Sequence, residues 1–362
     1  MSDQISVPAS PRAADAPIEA IAPNVSHELN GGSGGASGRL RAPLRAARWA
    51  HGRTRNYLGA SIALVALVVL LTASEATFLT AGNLKNVLVS NAPLFIVAVG
   101  MTFVMISAGF DLSIGATMAL SEELLYELVH VGVPAVAAIV IVLLAGFAVG
   151  ALLNGVLIGV FGVNFFVATL GTMTLFYGIV DVVTNGASET ITSTTLASFG
   201  NGTLWTVPTP VVTLVLAIVV GAFVLRWTHY GRAVFGVGGN REAARLAGIP
   251  TRTVTVSVYG IAGFCGALAG VVNASRLAAA TPTDGTTIAL IAGAAVLLGG
   301  TSLFGGVGGL SGTVVGVLVI AVLGNGVNLL GVSDFWQNVV TGAVLIGAIL
   351  LDRLQKRGQP SH

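Results

Sequence analysis

Apolar residues along the chain fall into long runs, at roughly 58–74, 86–107, 113–130, 133–160, 164–183, 208–227, 253–276, 285–303, 307–330 and 334–351. Several approach the ~20 residues that an α-helix needs to cross a bilayer. A membrane barrel would alternate polar and apolar residues in ~10-residue units, and no such alternation is present. The pattern predicts an all-α polytopic membrane protein with about ten transmembrane helices. The third and eighth runs are interrupted and read as possible broken or re-entrant segments, which are allowed where backbone lines a cavity instead of lipid.

Composition agrees. Charged residues make up 9% of the 362 and hydrophobic ones 54%, against about 25% charged in soluble domains. Mean hydropathy is +0.89. The 48 glycines suit helices that pack closely through small residues.

The positions of the charges give the topology. Residues 1–56 are rich in Ala, Ser, Pro and Gly and include "NGGSGGASG" (30–38). They lack the apolar core of a signal peptide and read as a disordered tail. The tail ends in Arg39, Arg41, Arg45, Arg48, Arg53 and Arg55; further basic clusters lie between Arg226 and Arg252 and at Arg353, Lys356 and Arg357. Basic residues near span ends accumulate on the cytoplasmic side. Both termini are therefore expected in the cytoplasm, with a tail at 1–56, a membrane domain at 57–352 and a second tail at 353–362. The stretch 184–210 has no Lys or Arg and fits the opposite side.

Much chemistry is excluded. Neither Lys85 nor Lys356 follows a glycine, so the chain has no G-x-x-x-x-G-K phosphate loop. Cys265, the one cysteine, cannot form an intrachain disulfide and reads as a packing residue. The five histidines are scattered without metal-ligand spacing, and no acid pairs with a nucleophile. No catalytic residue, metal or bound cofactor is expected. The arginines sit where topology explains them, so nucleic acid is not an expected partner, whereas membrane lipid is.

Polar residues inside the apolar runs are candidates for a translocation pathway. Asp111, in "GFDLSIG" (109–115), reads either as a polar hinge or as a helix cap, because a charge facing lipid costs roughly 2.5–3.5 kcal/mol. "GTSLFGG" (300–306) partly echoes it, and "NGV" recurs at 154–156 and 325–327, a weak sign of an internal repeat. In "LSEELLYELVH" (120–130), Glu123 and Glu127 share a helix face, with Glu122 beside them. They lie near mid-membrane if the helix starts at one surface near 113, or at the outer headgroups if it sits higher. Asn164, Thr169, Thr172 and Thr174, and later Asn325, Asn328 and Asn338, are either glue between helices or groups that bind a polar solute.

One charged island remains, "GGNREAARLAGIP" (238–250). Asn240 is an N-cap, Glu242 suits the positive first turn and Arg245 the later part. Gly248 takes the left-handed position after the helix and Pro250 stops it. The predicted helix at 241–247 is ~10 Å long, too short to cross a membrane and too short to be stable alone.

This island, with "GFDLSIG", "ATLGTMTLFYG", "GGTSLFGGVGG" and "NGVNLLGVSDFWQNVVTGAVLIGAILLD" in that set, resembles the ribose/galactoside-type permease family of bacterial ABC sugar importers. The resemblance runs from about residue 58 to 352. It implies an inner-membrane permease whose coupling helix, matched here by Glu242, Ala243, Ala244 and Gly248, docks on an ATPase with two nucleotide-binding halves. It further implies a second permease copy or paralogue and a periplasmic binding protein that delivers sugar. Arg241 and Arg245 would pair with acids on the motor, and the small Ala243 and Ala244 would allow close approach. Glu122 and Glu123 depart from the small apolar residues usual in the family and leave room for an amino-bearing or otherwise unusual polyol. Two other readings stay open: an ABC permease for another small polar solute, such as an amino acid or nucleoside, and a proton-driven secondary transporter with Asp111, Glu123 or Glu127 as relay.

Overall fold

The computed structural model describes residues 57–332, with 336, 339, 342 and 343 beyond them. Both expected tails, Asn338 and most of the tenth run lie outside the described residues.

The first half of the chain forms α1 (Leu58–Ser74), α2 (Ala81–Ser90), α3 (Ala92–Ile106), α4 (Ile114–His130) and α5 (Ala135–Val149). A π-helical turn, Gly150–Gly155, and α6 (Val156–Gly159) continue α5. Then follow α7 (Phe165–Thr184), α8 (Thr194–Asn201), α9 (Thr209–Trp227), α10 (His229–Gly239) and α11 (Arg241–Leu246). The last described helices are α12 (Thr251–Leu277), α13 (Ile288–Leu298) and α14 (Leu310–Leu329). Among the described residues, five helices are long and apolar enough to cross a membrane, or six if the α2–α3 pair counts as one bent span. The fold is all-α and polytopic, as the apolar runs predict.

Sequence and structure differ where the apolar run carries a local breaker. The second run divides into α2 and α3, bent by 47° at Asn91, because Pro93 removes a backbone donor in the first turn of α3. The third run, expected at 113–130, is by contrast one continuous helix, Ile114–His130, entered from the irregular stretch 107–113. The eighth shortens to the 11 residues of α13, preceded by turns at 282–287.

The centre of the bundle is α12, packed on α3, α4, α5 and the π turn. α3 is buried along its whole length, which explains why it is apolar all round. A row of glycines on the α5–α6 rod faces α12. Gly146 and Gly150 lie against Gly263, and Gly155 lies against Val256. An ordinary helix would turn residue 154 toward α12 four positions after Gly150. The π turn inserts one residue, so Gly155 takes that contact and Asn154 points elsewhere.

Two small antiparallel pairings close one end of the bundle: β1 (Glu189–Thr190) with β4 (Ala279–Ala280), and β2 (Thr203–Leu204) with β3 (Val207–Pro208). At the other end the loops 107–109 and 300–309 meet α10, with the Gly306 amide donating to the Ile106 carbonyl at 2.9 Å. α11 lies at that second end.

Candidate translocation site and coupling helix

α11 has the boundaries its sequence signals imply, one residue shorter. The Asn240 side chain accepts from the Ala243 amide at 2.9 Å. Gly248 has φ +82° with open space around it. Arg245 donates two hydrogen bonds to Glu242, at 3.0 and 2.6 Å, and these hold the Glu242 carboxyl below its ordinary pKa. Arg241 reaches back to the Gly159 carbonyl at the end of α6, at 3.3 Å. The two arginines expected to reach outward are thus engaged within the chain in this structure. Ala244 is buried against the bundle, whereas Ala243 faces out. Leu246, passed over in the sequence, is 77% exposed. An apolar side chain left exposed at the C-terminal end of a short helix is the signal that points to it.

Beside α11 is a cavity of about 180 Å³, lined in part by Ser107, Gly109, Asn164, Arg241, Thr255 and Tyr259. Asn164 caps α7 there by accepting from the Phe166 amide at 2.8 Å. The Tyr259 hydroxyl donates to the Phe110 carbonyl at 3.5 Å, next to the start of the irregular stretch.

Asp111 is buried and accepts from both the amide and the hydroxyl of Ser113, at 2.9 and 2.6 Å. Asn154, turned aside by the π turn, donates to the Ser113 hydroxyl and accepts from Thr172, each at 2.7 Å. Asp111 therefore organises the turn that starts α4, and Asn154 ties that turn to α7. The echo at 300–306 has the same local device, since Ser302 accepts from the amide two residues on. Asn154 was legible only as part of a repeat. Its role depends on the inserted residue, which no local pattern announces.

The candidate residues separate in space. Thr169 returns its hydroxyl to the Phe165 carbonyl at 2.8 Å. Asn325 exchanges two 2.9 Å hydrogen bonds with Asn83, the glue expected between membrane helices. Asn328 is exposed. The acids of α4 lie near the strand-bearing end. Ile114 begins α4 beside Gly266, in the middle of α12, and Glu122 therefore falls beside Gly270 and Asn273, within two turns of the end of α12. Glu123 is buried too and lies in electrostatic range of Glu127 and of Glu189 on β1.

Around Glu122 is a cluster that the chain order hides. Asn273 donates from one amide nitrogen to Glu122 Oε1 at 3.1 Å and to Asp284 Oδ2 at 2.7 Å. Its Oδ1 accepts from Arg276 Nη2 at 3.2 Å, and the Tyr177 hydroxyl donates to the Asp284 carbonyl at 3.4 Å. Asp284 belongs to the irregular segment before α13. The next residue, Gly285, has φ +80° and packs backbone to backbone on Gly115 at the start of α4. A side chain at Gly115 would meet the Gly285 carbonyl oxygen. Two helix discontinuities thus meet inside the bundle, each next to a buried or half-buried acid.

Broken helices around buried polar groups, in a bundle of apolar helices with a capped cationic and anionic helix at one end, define a multi-pass solute permease. A profile for the family described as "Branched-chain amino acid transport system / permease component" matches residues 83–349. The ribose import permease of Bacillus subtilis (strain 168) is 43% identical over 298 residues, covering 82% of this chain and 92% of that protein. The ribose import permease of Escherichia coli (strain K12) is 39% identical, covering 80% and 92%. The D-allose transport system permease of the same organism is 36% identical, covering 78% and 86%. No solved structure matches. The chain belongs to the ABC sugar-importer permease family, whose members are multi-pass inner-membrane proteins.

Proposed function

We propose that this chain is the transmembrane permease subunit of an ATP-driven importer, moving a monosaccharide of the pentose or hexose type, or a related polyol, that a periplasmic binding protein delivers. It hydrolyses nothing itself. ATP is used by a separate ATPase with two nucleotide-binding halves, and a second permease copy or paralogue completes the pathway. Both termini lie in the cytoplasm. The observation that carries the reading is α11: a six-residue helix with both ends capped and an exposed Leu246, presented at the end of the bundle where the basic residues gather. So short a helix is unstable alone. Its complete caps fit a rigid contact through which an external motor moves the spans.

The family description names branched-chain amino acids, whereas the relatives quoted above are named for ribose and D-allose. The latter, at 36–43% identity over most of the chain, support a sugar as cargo. Vesicles holding the chain, its ATPase and its binding protein test the reading. ATP-dependent uptake of a monosaccharide is expected, and replacing Glu242 or Gly248 should leave insertion intact while separating ATP hydrolysis from transport. Uptake by the purified chain alone, driven by a proton gradient, would overturn the reading and favour the secondary transporter.

A further inference from the structure

We infer that the Glu122–Asn273–Arg276–Asp284 cluster is a specificity site that binds neighbouring hydroxyls of a neutral polyol as it passes the strand-bearing end of the bundle. The inference rests on the proposed sugar-permease function and deepens it.

The argument starts from what the cluster leaves unpaired. Glu122 is fully buried beside the Asp284 carboxyl and the Thr281 backbone, and its Oε2 has no hydrogen-bond partner of good geometry among the described residues. Arg276 Nε is likewise buried and finds no acceptor among them. One is an acceptor and the other a donor, and they flank the two sides of a single amide, Asn273, which is itself bonded at both its nitrogen and its oxygen. Buried polar groups are nearly always satisfied, and leaving one unmade costs ~1–3 kcal/mol, more for a charge. An unmatched acceptor and donor held on one rigid amide therefore call for a ligand that supplies both.

The chemistry of the two atoms selects among ligands. A metal cation or an ammonium group would satisfy Glu122 and leave Arg276 Nε without an acceptor. An anion would do the reverse and meet two carboxylates. A hydroxyl both donates and accepts, so a polyol gives a proton to Glu122 Oε2 from one hydroxyl and accepts from Arg276 Nε with another. The excess acid that suggested an amino-bearing cargo is thereby reassigned, because Arg276 already faces Glu122 and Asp284 electrostatically.

Placement supports the same role. Asp284 rides on the irregular segment 281–287, and irregular backbone inside a membrane bundle is tolerated where it lines a polar passage. Transporter sites form where discontinuous helices meet. Here the starts of α4 and α13 touch at Gly115 and Gly285. Tyr177 and Arg276 are only partly buried, which leaves the cluster an approach from one side.

The test uses the complete transporter in vesicles with D-ribose, 2-deoxy-D-ribose, 3-deoxy-D-ribose and 5-deoxy-D-ribose as cargo, presented to wild type and to Glu122→Gln and Arg276→Lys. The readout is the ratio of uptake for ribose to that for each deoxy analogue, taken at saturating binding protein. A hydrogen bond to a charged group changes such a ratio by about tenfold to a hundredfold. Wild type is expected to discriminate by that factor against the analogue lacking either contacted hydroxyl, and each variant is expected to bring close to one the ratio for the hydroxyl its own residue holds. Glu122→Gln keeps size and shape and Arg276→Lys keeps the charge, and a ratio compares two cargoes on the same folded protein, so lowered expression does not enter it. Equal loss for all cargoes, with the ratios unchanged, would mean a structural role and overturn the inference while leaving the sugar permease standing. Failure of wild type to move any monosaccharide would overturn both, and stimulation of D-glucosamine uptake above ribose in wild type would overturn the neutral-polyol assignment alone.

Discussion

The α11 helix and the Glu122 cluster are both charged islands in an apolar chain, and they handle charge in opposite ways. On α11 the ions are exposed: Arg245 pairs with Glu242 within a single turn, Asn240 caps the amide of Ala243, and Arg241 reaches the Gly159 carbonyl. Around Glu122 the ions are buried or half-buried and meet on Asn273, which lies 151 residues from Glu122, 11 from Asp284 and three from Arg276, with two atoms left over among the described residues. The first arrangement satisfies its Glu242–Arg245 pair within the helix, which rests on the bundle through Ala244 and Arg241. The second leaves two atoms without a partner among the described residues. That contrast fits one end built to receive force and another built to receive a solute.

The two regions should therefore break differently. The largest effect belongs to Asn273→Leu. It strips the shared donor from Glu122 and Asp284 and the acceptor from Arg276. With ~1–3 kcal/mol for each polar group left unmade, the fold should lose several kcal/mol, read as a lower unfolding temperature in detergent. Asn273→Asp, which keeps the shape and the Arg276 contact but adds a third acid, should fall at a similar level. If Asn273→Leu melts like wild type, the cluster holds nothing together.

A matched pair of glycine substitutions sharpens the comparison. Gly248 and Gly285 have nearly the same left-handed φ, +82° and +80°, but Gly248 has open space while Gly285 lies on the Gly115 backbone. Gly248→Ala should cost only the left-handed strain, ~1–2 kcal/mol. Gly285→Ala carries that strain plus an overpacking cost of ~1–3 kcal/mol. The difference in unfolding free energy between the two variants measures the close approach alone, and equal losses would show that α4 and α13 do not depend on it. On α11 itself, Asn240→Ala should cost ~1 kcal/mol, the usual worth of an N-cap, and reduce coupling more than stability.

How much of this was legible in the sequence follows the same division. Signals that act within one or two turns were readable: the caps of α11, the left-handed Gly248, the apolar spans, the turn made by Asp111. What escaped was set by pairing across the chain. Asn273, Asp284 and Arg276 carry no local signature, because a polar residue near the end of an apolar run is explained equally well by an interface with water. Glu122 was visible as an oddity, but its depth depended on where α4 begins. That start is fixed by Gly115 packing on Gly285, 170 residues later. Asn154 escaped for a related reason, since a π turn shifts its facing by one residue without any change in hydrophobic pattern. Ala244 was assigned outward because small residues suit contact on either side of a helix, and only packing decides which.

The smallest effect on the fold, and the most specific on function, should come from Leu246. Its side chain is 77% exposed on the last turn of α11 and makes no contribution to the bundle's core, so Leu246→Asp should leave the unfolding temperature of the isolated permease unchanged. Burying a leucine in a partner's groove is worth ~1.5–3 kcal/mol, which corresponds to about a tenfold to hundredfold change in affinity. The variant should therefore bind the ATPase that much more weakly in a pull-down or titration with permease in nanodiscs, and stimulate its hydrolysis less. Leu246→Met, which keeps the apolar volume, should restore both. If Leu246→Asp binds the ATPase like wild type, α11 does not dock through its exposed apolar face, and the charges of Arg241 and Glu242 become the remaining contact it can offer.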